Sequence, residues 1–354
     1  MVTFFYFRNL MKLSFVEYTL QLKHEFSISY SSRKTTPAVI VKIEDDGCEG
    51  FGEASLPPYL TDTQKSVTDY LSKIILRNVN SIEDIHANMD ELERLNKSAK
   101  PAKAAINIAL NDLLGKKYKI PIFRLYNIKM TKTDVPTSFT IGIDTKGILK
   151  KKIIEAEEYD ILKIKLGSDN DKEIINEIRK VTQKPLFVDA NQGWKNKHQA
   201  LNMILWLEDK NVKLIEQPMP VAAVKEAQWL KEKSPLPLIA DEAVRVYEDI
   251  EKIKNCFHGV NIKLMKCGGI NEALRMINSA RKNNMKIMLG CMTETSCAIS
   301  AAAQLLSYAD FIDLDGNQLI SNDPFESKHF KNGKFFLSEE PGLGIKLKKN
   351  LFVD

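Results

Sequence analysis

Lys163 and Lys165 stand one residue apart in I-L-K-I-K-L-G, ahead of three carboxylates that each close a short apolar run. These are Asp189 in P-L-F-V-D, Glu216 in V-K-L-I-E-Q-P and Asp241 in P-L-I-A-D-E, and Lys263 follows in V-N-I-K-L-M-K-C-G-G. Three hard oxygen donors suit Mg²⁺, which keeps open positions for water and substrate oxygen. Lysines beside such a centre suit proton transfer. An unperturbed lysine is almost wholly protonated near neutrality, and crowding by a second ammonium or partial burial lowers its pKa, so Lys163 is expected to tune Lys165 in that direction. Lys163 and Lys165 share a strand face by the two-residue period, with Ile161, Ile164 and Leu166 expected toward the core. Lys263 and Lys266, three apart, are expected to face opposite ways, one into the site and one in a supporting role. Asp313 and Asp315 in F-I-D-L-D-G alternate onto one face and form a candidate clamp for a substrate ammonium.

The elements that must position these residues follow from the spacing. The intervals from Lys165 to Asp189, Glu216, Asp241 and Lys263 are 24, 27, 25 and 22 residues. One strand, one helix and two short loops of a barrel of alternating strands and helices consume about that length. From Val135 onward eight apolar runs qualify as strands: P-T-S-F-T-I-G-I, D-I-L-K-I-K-L, P-L-F-V-D-A, V-K-L-I-E-Q, P-L-I-A-D-E, G-V-N-I-K-L-M, K-I-M-L-G-C-M and D-F-I-D-L-D-G. Polar helical segments separate them, so the fold class is α/β with a TIM-type barrel. Ahead of it, residues 11–55 alternate as antiparallel strands turning at Asp46 and Gly47. Residues 61–117 read as helices, with Thr61, Ser81 and Ser98 as candidate caps. The domain reading is 1–134 for an N-terminal α+β unit, 135–325 for the barrel, and 326–354 for a segment returning toward the first unit. Residues 1–10 read as an extension outside the core, because M-K-L-S-F-V-E-Y-T-L already makes a first strand.

Composition narrows the function classes. The chain has 354 residues, 44% hydrophobic and 27% charged, with a net charge of +5 spread along its length. That balance describes a globular protein, without the dense basic block of a nucleic-acid binder. No stretch approaches the roughly 20 uninterrupted apolar residues of a membrane span. The opening segment lacks the basic start of a secretory signal, and five cysteines without a C-x-x-C pair fit a reducing compartment. A cytoplasmic protein is expected.

The ordered set K-x-K, D, E-Q-P, D-E and N-I-K-x-x-K-x-G-G resembles the enolase superfamily in its muconate-lactonizing subgroup, over nearly the whole chain from Met11. The resemblance implies a modified (β/α)7β barrel with an N-terminal α+β capping domain. It implies Mg²⁺ on Asp189, Glu216 and Asp241, and Lys165 and Lys263 as the two acid/base residues. Lys266 is left in support. D-L-D-G with G-C-M-T-E is similar to the dipeptide epimerases of that subgroup. That implies a 1,1-proton transfer at the C-terminal residue of an L-Ala-X dipeptide, with Glu foremost as X. Abstraction of a proton beside a metal-held carboxylate is chemistry that enolase-superfamily sites exemplify. Asp313 and Asp315 would hold the ammonium, and Thr137, Cys291, Met292 and Thr293 would line the peptide. Arg33, in the loop K-H-E-F-S-I-S-Y-S-S-R-K-T-T-P-A-V, matches an arginine that faces the glutamate carboxylate in such enzymes. Alternatives within the subgroup are o-succinylbenzoate synthesis and N-acylamino acid racemisation, and a silent barrel acting as a binding protein is a third. The expected partner is a small dipeptide, with neither nucleic acid nor membrane, and self-association is left open.

Overall fold

The computed structural model describes residues 11–28, 31–131, 133–142 and 144–352. The expected extension at 1–10, and Ser29 and Tyr30 of the capping loop, lie outside them.

Three antiparallel strands, β1 (Lys12–Ile28), β2 (Ser31–Asp45) and β3 (Cys48–Ser55), open the chain. β2 and β3 turn at Asp46 and Gly47 with φ of 49° and 75°, the left-handed pair that a two-residue hairpin requires. β1 and β2 run on through what the sequence suggested was a loop: Phe26 pairs with Arg33 beyond a register shift between Gln21 and Phe26. Helices α1 (Gln64–Leu71), α2 (Ile82–Leu95) and α3 (Lys100–Tyr118) follow. Ser81 caps α2 as expected. Thr63, not Thr61, caps α1, where its hydroxyl and that of Ser66 exchange hydrogen bonds with each other's backbone. Ser98 is not a cap either: α3 starts after Ala99, with Pro101 in its first turn, and the Ser98 hydroxyl bonds Asn96 instead. α3 is buried from Pro101 to Gly115, so it is a central helix with no solvent face.

Gly50 and Gly52 explain how closely β3 meets that helix. A Cβ on Gly50 would lie 2.1 Å from the Ala109 carbonyl oxygen, and one on Gly52 would lie 1.8 Å from that of Ala105. Both face α3, so Phe51, Glu53 and Ser55 turn to the opposite side by the strand's two-residue period.

A short helix α4 (Ile122–Leu125) and a short strand β4 (Val135–Pro136) lead into the barrel. Its strands are β5 (Ser138–Ile141), β6 (Ile161–Lys165), β7 (Leu186–Asp189), β8 (Val212–Glu216), β9 (Leu238–Ala240), β10 (Gly259–Ile262), β11 (Lys286–Gly290) and β12 (Phe311–Asp313). They pair in sequence order, all parallel, and each coincides with one of the eight apolar runs. The connecting helices are α5 (Lys146–Glu155), α6 (Asp171–Arg179), α7 (Lys197–Glu208), α8 (Val224–Lys233), α9 (Tyr247–Ile253), α10 (Leu264–Cys267), α11 (Ile270–Lys282) and α12 (Ser296–Ala303). Side chains close the seam between β12 and β5: Ser138 Oγ donates to Asp313 at 2.6 Å, the Thr140 N–H to Asp315 at 2.6 Å, and the Leu314 N–H to Thr137 Oγ1 at 2.8 Å.

After β12 the chain forms β13 (Phe325–Ser327), β14 (Phe330–Lys331), β15 (Lys334–Phe335) and β16 (Ile345–Leu347). β15 pairs with β4, and this segment touches the first strands and α3. The Leu343 N–H donates to Asp112 at 2.8 Å, and the Phe352 ring lies 6.3 Å from Phe51.

The close approach of β3 to α3 is testable. Gly52→Ala should lower stability by about 1–3 kcal/mol, the usual range for forcing an extra carbon into packed structure, because the obstacle is backbone. A thermal scan checks it, and an unchanged midpoint would show that β3 can move away from α3 freely.

Candidate active site

The barrel interior is layered by the two-residue strand period. Phe187, Leu214, Ile239 and Met288 form a buried apolar plug with Ile161 and Phe311. Two residues further along the same strands stand Asp189, Glu216, Asp241, Gly290, Lys163 and Asp313. The strand face that packs the plug therefore carries charge at the mouth. Ile161 belongs to this inner face with the two lysines, whereas Ile164 and Leu166 are buried on the outer one.

Asp189, Glu216 and Asp241 each offer an oxygen, and those oxygens lie within 4.8 Å of one another. Lys165 bonds Asp189 at 2.6 Å and Lys263 bonds Asp241 at 2.8 Å. Lys163 lies 2.6 Å from Glu216, 2.7 Å from Asp313 and 3.5 Å from Asp189. Burial pushes the Asp189 and Asp241 carboxyls up, but the lysines overrule it: Lys165 and Lys163 hold Asp189 below its usual value, and Lys263 and Lys266 hold Asp241 well below. Glu216 goes the other way, to about 7, through burial and repulsion from Asp189. By the same mutual crowding Lys163 would itself be lowered, and it is not. Burial pulls it down, but Asp313, Glu216 and Asp189 raise it well above the ordinary lysine value, because it is the counter-ion of three carboxylates.

This donor set fits a hard divalent cation. All three groups are carboxylates from adjacent strands. Glu216 Oε2 is buried and accepts no hydrogen bond, although the Lys163 ammonium is near. Asn261 Nδ2 steadies Glu216 at 2.7 Å, and Gln217 Oε1 accepts the Asp241 and Ala243 N–H groups.

Strand order arranges the remaining groups. β6 and β10 are four strands apart in a ring of eight, so Lys165 and Lys263 approach from opposite sides, with β7–β9 between them. β12 lies across the ring from β8, which places Asp313 and Asp315 opposite the three-carboxylate cluster. Both aspartates are buried, at 3% and 2% exposure, which rules out a solvated turn. Burial and Asp313 push Asp315 up to about 6. A cavity at the mouth is lined by these aspartates, Lys163, Lys165, Lys263 and residues 291–293. Arg33 and Tyr59 reach it from the N-terminal part of the chain.

Over this geometry, the "Enolase C-terminal domain-like" family matches residues 149–351. The "Mandelate racemase / muconate lactonizing enzyme, N-terminal domain" family matches residues 11–126. The chain belongs to the enolase superfamily. It is 48% identical over 339 residues to the L-Ala-D/L-Glu epimerase of Bacteroides thetaiotaomicron, covering 95% of this chain and 88% of the relative. It is 38% identical over 346 residues to the L-Ala-D/L-amino acid epimerase of Pedosphaera parvula, covering 96% and 99%. A crystal structure of dipeptide epimerase from Enterococcus faecalis with Mg and L-Leu-L-Tyr superposes with a TM-score of 0.87. Identity to it is 28%, and the match covers 95% of this chain and 99% of that one.

Two sequence expectations need correction in this superfamily member. Thr137 does not reach the cavity: it is fully buried, and its hydroxyl is spent on the β5–β12 seam. Thr140 lines the cavity instead, on the inward face with Ser138. Lys263 and Lys266 do not face opposite ways, because β10 ends at Ile262 and α10 begins after Lys263, where three residues make nearly a full turn. Both bond Asp241. Lys266 is saturated by the Asp241 carboxylate and the carbonyls of Asp241, Val244 and Asn261, a supporting arrangement.

The sequence reading passed over Glu242, Asn191 and Tyr59, which also line the cavity. Glu242 had a signal, since it follows Asp241 directly. Burial and Asp241 push it up to about 7, and its Oε2 has no partner.

The cation site can be probed without any substrate. Mg²⁺ at about one hundred times its dissociation constant should stabilise the protein by about 2.7 kcal/mol. Asp189→Asn, Glu216→Gln and Asp241→Asn should each abolish most of that shift in thermal scans against chelator. A full shift in all three would exclude this cluster as the cation site.

Proposed function

We propose that the protein is a Mg²⁺-dependent dipeptide epimerase that inverts the α-carbon of the C-terminal residue of an L-Ala-X dipeptide. One observation carries this reading: Lys165 and Lys263 flank the barrel axis from opposite strands, between a three-carboxylate cluster on one side and two buried aspartates on the other. A zwitterionic dipeptide is complementary to that arrangement. Its carboxylate faces the cation side, its ammonium faces Asp313 and Asp315, and its α-carbon falls between the lysines.

Asp189, Glu216 and Asp241 would hold Mg²⁺, which would supply fixed positive charge to the substrate carboxylate and so acidify the α-hydrogen. Lys165 Nζ removes the proton from one face and Lys263 Nζ returns one to the other, and for the opposite epimer the roles exchange. Lys163 stays charged among Asp313, Glu216 and Asp189 and balances the buried anions. Asp315 and Asp313 hold the ammonium by charge-assisted hydrogen bonds. Substrates of the o-succinylbenzoate or N-acylamino acid type have no ammonium to offer these aspartates, so the acidic pair would have no role in binding them. The five cysteines are all free, in keeping with a cytoplasmic setting.

The identity of X rests on Arg33. Its guanidinium sits over the rings of Phe26 and Tyr59, at 5.0 and 5.7 Å to their centroids. Nε donates to Thr36 and Nη2 to Thr293, each at 3.1 Å, while the buried Nη1 has no partner. A held guanidinium with an orphan donor at the cavity wall suits an acidic side chain, so we propose Glu as a preferred X.

Incubation of a dipeptide library with Mg²⁺ in D₂O tests the activity. A one-unit mass gain on L-Ala-L-Glu is expected, and no gain on any dipeptide would refute the reading. In single turnovers, Lys165→Ala should block exchange from one epimer and Lys263→Ala from the other. Identical losses on both epimers would break the two-face assignment.

Arg33→Met should lower kcat/KM for L-Ala-L-Glu by about 30- to 150-fold, the loss of roughly 2–3 kcal/mol of charged hydrogen bonding. L-Ala-L-Leu should suffer much less. Equal losses on both dipeptides would mean that Arg33 only shapes the wall.

A further inference from the structure

The cavity wall at residues 291–293 is held from outside the barrel. With Gly50 and Gly52 pressed on α3, the other face of β3 presents Glu53 and Ser55 to the loop after β11. Ser55 Oγ donates to the Thr293 carbonyl at 2.6 Å. Glu53 receives the Thr295 N–H on both oxygens, at 2.9 and 3.0 Å, together with the Thr295 hydroxyl and, at 3.4 Å, the Ala298 N–H. Thr295 is the N-cap of α12, and its Oγ1 accepts the Cys297 N–H. The carboxylate thus answers N–H groups at the positive end of a helix, where an anion is favoured. Glu53 is fully buried, and among the described residues it forms no ion pair with a cation. Its compensation is this set of hydrogen bonds, so the loop and the carboxylate fix one another.

We infer that Glu53 is a positioning residue for substrate binding. Its hold on Thr295, with that of Ser55 on Thr293, sets the backbone of residues 291–293 against which the dipeptide lies. This rests on the dipeptide-epimerase reading of the same site. Glu53 does not line the cavity and touches none of the groups proposed to move the proton. The lysines and the three carboxylates stand on β6–β8 or just past the ends of β9 and β10, and the bonds of Glu53 and Ser55 to this loop involve none of them. Losing Glu53 should therefore weaken binding and spare the chemical step.

The test compares Glu53→Ala, Glu53→Gln and Ser55→Ala with the wild type. KM and kcat come from epimerisation of the dipeptide that the library identifies, Mg²⁺ affinity from calorimetry, and amide exchange of residues 290–297 from mass spectrometry without substrate. Glu53→Ala should raise KM by about 5- to 30-fold, the range of one or two lost hydrogen bonds, with kcat and Mg²⁺ affinity within about twofold. Glu53→Gln should be partly rescued, because its amide oxygen still accepts the Thr295 N–H. Amide exchange should accelerate in that segment only. Unchanged KM, or joint loss of kcat and Mg²⁺ affinity, would overturn the assignment. If Glu53→Ala does not fold, Ser55→Ala carries the same KM criterion with the loss of a single hydroxyl. A wild type that exchanges no dipeptide proton would refute the functional reading. The amide-exchange comparison would then judge the hold of Glu53 on the loop by itself, and unchanged exchange would overturn it.

Discussion

Four carboxylates and four lysines are ion-paired at the buried mouth of this barrel: Asp189, Glu216, Asp241 and Asp313 with Lys163, Lys165, Lys263 and Lys266. An ion stripped of water and left unpaired in a protein is penalised by several kcal/mol, and removing one partner of a buried pair typically destabilises by about 3–5 kcal/mol. Neither set could therefore be buried without the other. The balance holds because the strands deliver these groups just beyond the apolar plug: Lys163, Asp189, Glu216, Asp241 and Asp313 two residues past it, Lys165 four residues past Ile161, and Lys266 from α10. Register keeps that placement. Lys165 pairs with Asp189 and Asp189 with Glu216 across three neighbouring strands. Lys163 is the deepest of the lysines and joins the cluster side of the mouth to Asp313, so its charge is a structural requirement before it is a catalytic convenience.

Ring order then turns a charge layer into a sorted site. A closed ring of eight parallel strands has opposite positions four strands apart, and that symmetry separates the groups by task. Cation ligands occupy three consecutive strands, the lysines flank them, and the paired aspartates face them. A reaction that removes a proton from one face of a carbon and delivers one to the other needs two bases on opposite sides of one axis. The fold provides that axis without requiring any loop to place a base. Loops are left to recognise the remainder of the substrate.

Much of this was legible in the sequence because its main signals are local and periodic. Eight apolar runs spaced for strand and helix gave eight strands. The pattern of an apolar residue, a spacer and then a charge, as in Phe187-Val188-Asp189, marked both the inner face and its end. What failed had no such signal. A two-residue period says which way a side chain points only while the strand lasts, and β10 stops one residue before Lys263, so the direction of Lys266 was misread, though not its supporting role. Thr137 and Thr140 differ by half a period and a seam contact that appears only when β12 meets β5. For Lys163 the lowering failed because crowding by one ammonium was visible in K-x-K, whereas the three carboxylates that reverse it arrive from other strands. Glu53 was silent because its partner Thr295 lies 242 positions away.

The N-terminal strands and the barrel divide the labour along the same line as local and non-local information. Everything that must move a proton stands on barrel strands or at their ends, in a layer whose charges are interlocked. What meets the rest of the substrate includes Arg33 and Tyr59 from the first strands and their following loop, and the 291–293 backbone that β3 grips. Arg33 itself donates to Thr293, so the side-chain wall and the peptide wall are bonded to each other across the two parts of the chain. An interlocked charge layer tolerates little substitution, since Lys163, Lys263, Asp189, Glu216 and Asp241 each compensate two or three others. The wall has no such constraint: exchanging Arg33 for an apolar residue leaves no buried ion behind, only two hydroxyls, Thr36 and Thr293, without a donor. The chemistry is therefore confined to the part of the molecule that cannot drift, and substrate choice to a part that can.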